Sequence, residues 1–83
     1  MVDREKVMKA LGLSAREAEV AALAALGKGD KAIAGEMGVS LSAVKLYLQH
    51  AYRKVLVANR TELARRVILA VGMPNGYDGG SRP

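Results

Sequence analysis

The chain has 83 residues, is 51% hydrophobic and 25% charged, and carries a formal net charge of +5 with no cysteine. That length holds one small domain whose core is too modest for a large enclosed substrate pocket, so no enzyme is expected. Disulfides, thiolate chemistry and cysteine-based zinc sites are excluded; no apolar run approaches the ~18 residues of a membrane span and Met1-Val2-Asp3-Arg4 is no signal peptide, so a cytoplasmic protein is expected.

Helix is the expected state throughout. Proline is absent before Pro74, and Ala, Leu, Lys, Arg and Glu recur at helical spacing. Asp3 is placed to cap a short first helix ending at Leu11, with Val7, Met8 and Leu11 on one side and Gly12 as its stop. Ser14-Ala15-Arg16-Glu17 then fits a capping box, with Leu13 in the staple position before it. The apolar face of this second helix runs through Ala18, Val20, Ala21, Leu23, Ala24 and Leu26, and Gly27-Lys28-Gly29 stops it. Asp30 is expected to cap a third helix from Lys31 to about Met37, with Ile33, Ala34 and Met37 inward. The turn Gly38-Val39-Ser40 follows, and Ser40 caps a longer helix from Leu41 to about Val55. Two helices joined by a short turn containing glycine make a helix-turn-helix pattern. After a break over Leu56 to Asn59, a last helix starts at Thr61 or Asn59 and runs through Val71, ended by Gly72 and Pro74. Met73 to Pro83 is Gly/Pro-rich and is expected to be a disordered tail.

The charge is unevenly placed. Residues 41–66 hold Lys45, Arg53, Lys54, Arg60, Arg65 and Arg66 against Glu62 alone, so the whole +5 lies there and the remainder balances. A local excess of this kind suits a polyanion. At 100° per residue, Val44, Leu48, Ala51 and Val55 form a core stripe on the 41–55 helix, with Leu41, Tyr47 and Tyr52 at its edges. The opposite face carries Ser42, Lys45, Gln49 and Arg53, with His50 near its edge. Leu46 lies in the middle of that polar face, where the domain's own core gives it nothing. Single exposed leucines are ordinary on protein surfaces. The polar rim around this one also suits a groove, with Leu46 against a thymine methyl and Lys45 and Gln49 on neighbouring base edges or phosphates.

Taken in order, these segments resemble one known family. Leu13-Ser14-Ala15-Arg16-Glu17-Ala18-Glu19-Val20 resembles the opening of the LuxR-type (GerE-like) helix-turn-helix domain. Gly27 with Lys31-Ala32-Ile33-Ala34 is similar to its second-helix signature. Val39-Ser40 followed by Val44-Lys45 is similar to its recognition-helix entry, and Arg60-Thr61-Glu62-Leu63-Ala64 to its closing motif. The chain departs from the family at Ala43, usually threonine, at Tyr47, usually histidine, and at Asp30 and Ala32, usually Asn and Glu.

The resemblance implies an all-α fold: a four-helix domain over 13–72, a short N-terminal helical extension over 1–12 and the flexible tail at 73–83. It implies a bacterial, sequence-specific regulator bound to double-stranded DNA, standing alone without the receiver or ligand-sensing domain that usually precedes such a unit. Lys45, Leu46 and Gln49 would face bases, and Lys31, Ser42 and Arg53 would meet phosphates. The last helix resembles the family's dimerisation helix, and Leu63, Val67, Ile68 and Val71 are the residues expected to join two copies. Val67-Ile68-Leu69-Ala70-Val71 is apolar all round, which agrees; the competing arrangement tucks this helix end under the Asp3–Leu11 segment. A second class of function is a module that binds RNA polymerase, a sigma subunit or another regulator through Leu46, Tyr47 and the apolar last helix. His50, the single histidine, has no companion ligands at metal spacing, and no cofactor or small-molecule ligand is expected.

Overall fold

The computed structural model describes residues 3–72. They form five helices: α1 (Arg4–Leu11), α2 (Ala15–Ala25), α3 (Asp30–Met37), α4 (Leu41–Val55) and α5 (Arg60–Val71). The tail expected at 73–83 lies outside the described residues.

Local chemistry sets most of the boundaries. The Asp3 carboxylate accepts the Glu5 N–H at the start of α1, and Gly12 leaves the helix in the left-handed region at φ 69°. Ser14 and Glu17 form the full capping box: the Ser14 hydroxyl accepts the Glu17 N–H at 3.2 Å and the Glu17 carboxylate accepts the Ser14 N–H at 3.0 Å. Gly38 turns the chain out of α3 at φ 68°, and the Ser40 hydroxyl accepts the Ala43 N–H at 3.0 Å to open α4. Asn59 caps α5 by accepting the Glu62 N–H, which decides between the two starts the sequence left open.

One boundary differs from expectation. Gly29, not Asp30, is the cap of α3, and it makes no side-chain cap bond. Asp30 is the first helical residue instead, because its carboxylate is held by Arg60 and so is not turned back onto the helix amides.

Helix α2 is the centre of the molecule. It packs against α1, α4 and α5, while α3 rests on α4. Alanines at 18, 21, 22 and 24 are all buried on it, and their small side chains let three helices approach one axis closely. The largest fully buried side chains are Ile33, Leu63, Val7, Val20, Val44 and Val67, one or two from each helix. Burial of each such aliphatic side chain contributes about 1.5–3 kcal/mol. Because Val7 of α1 is fully buried and Met8 and Leu11 pack beside it, the extension is part of the core.

A candidate nucleic-acid interface on the fourth helix

The α3–turn–α4 unit presents α4 with one face inward and one outward. Val44, Leu48, Ala51 and Val55 are buried, as the 100° periodicity requires. Ser42, Lys45, Leu46, Gln49 and Arg53 are all exposed, with Leu46 retaining 51% of its accessible surface. Spacings of three and four residues stack them in one stripe along α4, which at ~1.5 Å per residue is ~22 Å long. The stripe contains no carboxylate, for α4 has no Asp or Glu at all. Among the described residues, Lys45 and Arg53 make no ion pair, so their charges are available to a ligand. Lys31 is exposed on the first turn of α3 and is likewise without an ion pair among those residues.

Lysine 54, one residue beyond Arg53, serves another purpose. Its ammonium lies 2.9 Å from the Glu17 carboxylate, and Nδ1 of His50 lies 3.7 Å from the second Glu17 oxygen. Burial by itself would raise the Glu17 carboxyl. The Ser14 backbone N–H, the Lys54 ammonium and the Ser14 hydroxyl outweigh it, holding the group below the ordinary carboxylate value. Glu17 thus ends α2's free amides and anchors α4 with one side chain. Glu17, His50, Arg53 and Lys54 line a shallow, open depression beside the stripe.

Sequence reasoning missed two contacts that set the site. The Lys54–Glu17 pair joins residues 37 apart, and only the capping half of the Glu17 role has a local signature. Arg60 belongs by sequence to the closing motif, yet its guanidinium donates to both the Asp30 carboxylate and the Lys28 backbone carbonyl. It therefore ties the start of α5 to the start of α3. Glu62 accepts the Ala58 N–H at 2.9 Å, and Arg66 donates to the Val55 carbonyl.

The expected dimerisation residues divide in two. Leu63 and Val67 are fully buried in the domain's own core, so they present no surface to a second copy. The physical reason is that α2 and α1 both pack on α5 and cover one side of it. Ile68 and Val71 remain half-buried, and Leu69, which was not among the expected residues, is 75% exposed beside them.

Residues 11–67 match the model of the luxR family of bacterial regulatory proteins. The chain belongs to the LuxR family. It is 41% identical over 54 residues to the monoamine regulon transcriptional regulator of Klebsiella aerogenes, covering 65% of this chain and 24% of that one. It is 39% identical over 61 residues to the putative HTH-type transcriptional regulator YhjB of Escherichia coli K12, covering 72% of this chain and 30% of that one. The LuxR-type chain described here therefore spans less than a third of the length of either relative. No solved structure gives a significant match. Among the described residues no helix is long and apolar enough to cross a membrane, and no group of His, Asp or Glu is placed to hold a metal ion.

Proposed function

We propose that this LuxR-type chain is a sequence-specific DNA-binding transcriptional regulator that lays α4 in the major groove. The observation that carries the reading is the exposed stripe Ser42, Lys45, Leu46, Gln49 and Arg53, free of carboxylates and set opposite the buried face of the same helix. Lys45, Leu46 and Gln49 are the base-facing residues: an ammonium for guanine O6 and N7, an apolar surface for a thymine methyl and an amide for adenine N6 and N7. Ser42, Arg53 and Lys31 contact phosphates and set the helix's register in the groove.

Two copies act together through α5, using the exposed Leu69 with Ile68 and Val71. A two-fold pair of recognition helices reads half-sites about one DNA turn, ~34 Å, apart. The chain works in the bacterial nucleoid and uses no cofactor.

Selection from a random duplex library tests this reading directly. An enriched, two-fold-related sequence is expected, with log affinity falling linearly in log salt and Lys45→Ala weakening binding. Equal, weak binding to selected and random duplexes, unmoved by Lys45→Ala, rejects it. A second reading is favoured by Leu56, which is 82% exposed just past the end of α4: a module binding RNA polymerase, a sigma subunit or another regulator. Capture of DNA alone, with none of those proteins, rejects that one.

A further inference from the structure

Three elements meet at Arg60. Its guanidinium, on the first residue of α5, donates to the carboxylate of Asp30 on the first residue of α3 and to the carbonyl of Lys28 in the turn before it. Tyr52 of α4 feels both charges: burial raises its phenol, the Arg60 cation lowers it, and the Asp30 anion raises it. The Lys28 ammonium is not available to Asp30, being 2.7 Å from Glu36. Among the described residues, Arg60 is therefore the cation that offsets Asp30.

Asp30 needs such an offset if α3 meets DNA. It is the immediate neighbour of Lys31, the exposed cation assigned above to a phosphate. An unneutralised carboxylate there repels the same phosphate and attracts the Lys31 ammonium away from it. Half-exposed charges a few Å apart interact by about 1 kcal/mol or more, so either effect is large enough to matter.

We infer that Arg60 is a positioning residue for DNA recognition: by neutralising Asp30 it makes the first turn of α3 acceptable to the phosphate backbone, and it does so from α5, the helix proposed to join two copies. This rests on the DNA-binding reading. It adds to that reading an electrostatic link between the dimer helix and the DNA face, carried by one side chain that itself need not touch DNA.

The test is affinity for the duplex enriched by library selection, at fixed salt, for the wild type, Arg60→Gln, Asp30→Asn and the double variant. Glutamine removes the charge together with the reach of the guanidinium. Arg60→Gln is expected to weaken binding about tenfold, Asp30→Asn to change it less than about threefold, and the double variant to return to within about threefold of wild type. Arg60→Lys keeps the charge and is expected to bind within about threefold as well, which covers the case in which the glutamine variant does not fold. A double variant as weak as Arg60→Gln overturns the inference, because Arg60 then contacts phosphate directly or only holds the fold. So does an Asp30→Asn variant that binds more than about tenfold tighter, since Asp30 would then be withholding Arg60 from DNA. If Arg60→Lys folds and binds as weakly as a charge-free variant, the inference also fails. Absence of any enriched duplex for the wild type sinks the DNA-binding reading itself, a result separable from all of these.

Discussion

The buried carboxylate of Glu17 lies 2.9 Å from the ammonium of Lys54, linking the first turn of α2 to the last turn of α4. Glu17 retains only 5% of its accessible surface, so its charge has little water to fall back on. The same carboxylate accepts the Ser14 N–H, which means that one group both starts α2 and fixes how α4 is seated on it.

Acidification tests that role. Glu17 sits below its ordinary carboxylate value in the folded protein, so its stabilisation is complete above the unfolded value and is lost as pH falls through the lowered folded one. Glu17→Gln is expected to lower stability by about 1–3 kcal/mol near neutral pH and to flatten the acid limb of a denaturation profile. An acid limb identical in the two proteins would assign the low-pH loss to other carboxylates.

Leu46 is exposed and fits no part of the core, so its removal separates recognition from folding. Leu46→Ala is expected to leave thermal stability within about 0.5 kcal/mol of wild type. On the selected duplex, replacing the critical thymine by deoxyuracil removes one methyl, which costs wild type about fourfold in affinity by the burial value of one methylene-sized group. The alanine variant should be indifferent to that change. Equal sensitivity in both proteins would remove Leu46 from the base-facing set.

The other end of α4 holds a strain that is easily relieved. Leu56 has φ 63°, in the left-handed region that a side chain disfavours, and is 82% exposed. Leu56→Gly is expected to raise unfolding free energy by about 0.5–1 kcal/mol, the relief of strain being partly offset by the greater freedom of glycine in the unfolded chain. Urea denaturation measures it. A loss of stability would mean that Leu56 is covered by a second copy or another partner under the conditions used.

On α5, Leu69 is the residue to change. Leu69→Glu places a charge in the middle of the proposed contact between copies while leaving Leu63 and Val67 in the core. Sedimentation should shift towards monomer, and binding to a two-half-site duplex should weaken far more than binding to a single half-site. An unchanged sedimentation profile would exclude this face of α5 as the contact.

Gly35 is exposed within α3, and a β-carbon there meets nothing within 4 Å. Gly35→Ala is therefore expected to stabilise the fold by about 0.5–1 kcal/mol through helix propensity. Thermal melts in the absence of DNA give the value, and a fall in the melting temperature would refute it.

Local signals were read correctly because they act within one or two turns. The Ser14–Glu17 box, the Ser40 cap, the left-handed glycines at 12 and 38 and the stripe Val44, Leu48, Ala51 and Val55 each involve neighbours three or four residues apart. Capping chemistry and periodicity together therefore determined the five helices and the outward stripe of α4. What only the tertiary structure decided are relations between helices distant in sequence. α2 and α1 together cover one side of α5, with Leu63 and Val67 in the core and Leu69 left outside. Arg60 reaches Asp30 across 30 positions and Lys54 reaches Glu17 across 37. A helix wheel says which side of a helix is apolar; which neighbour covers that side depends on how the other helices pack. For α5, apolar on every side near its end, no local rule could choose, and the packing of α2 and α1 against it made the choice.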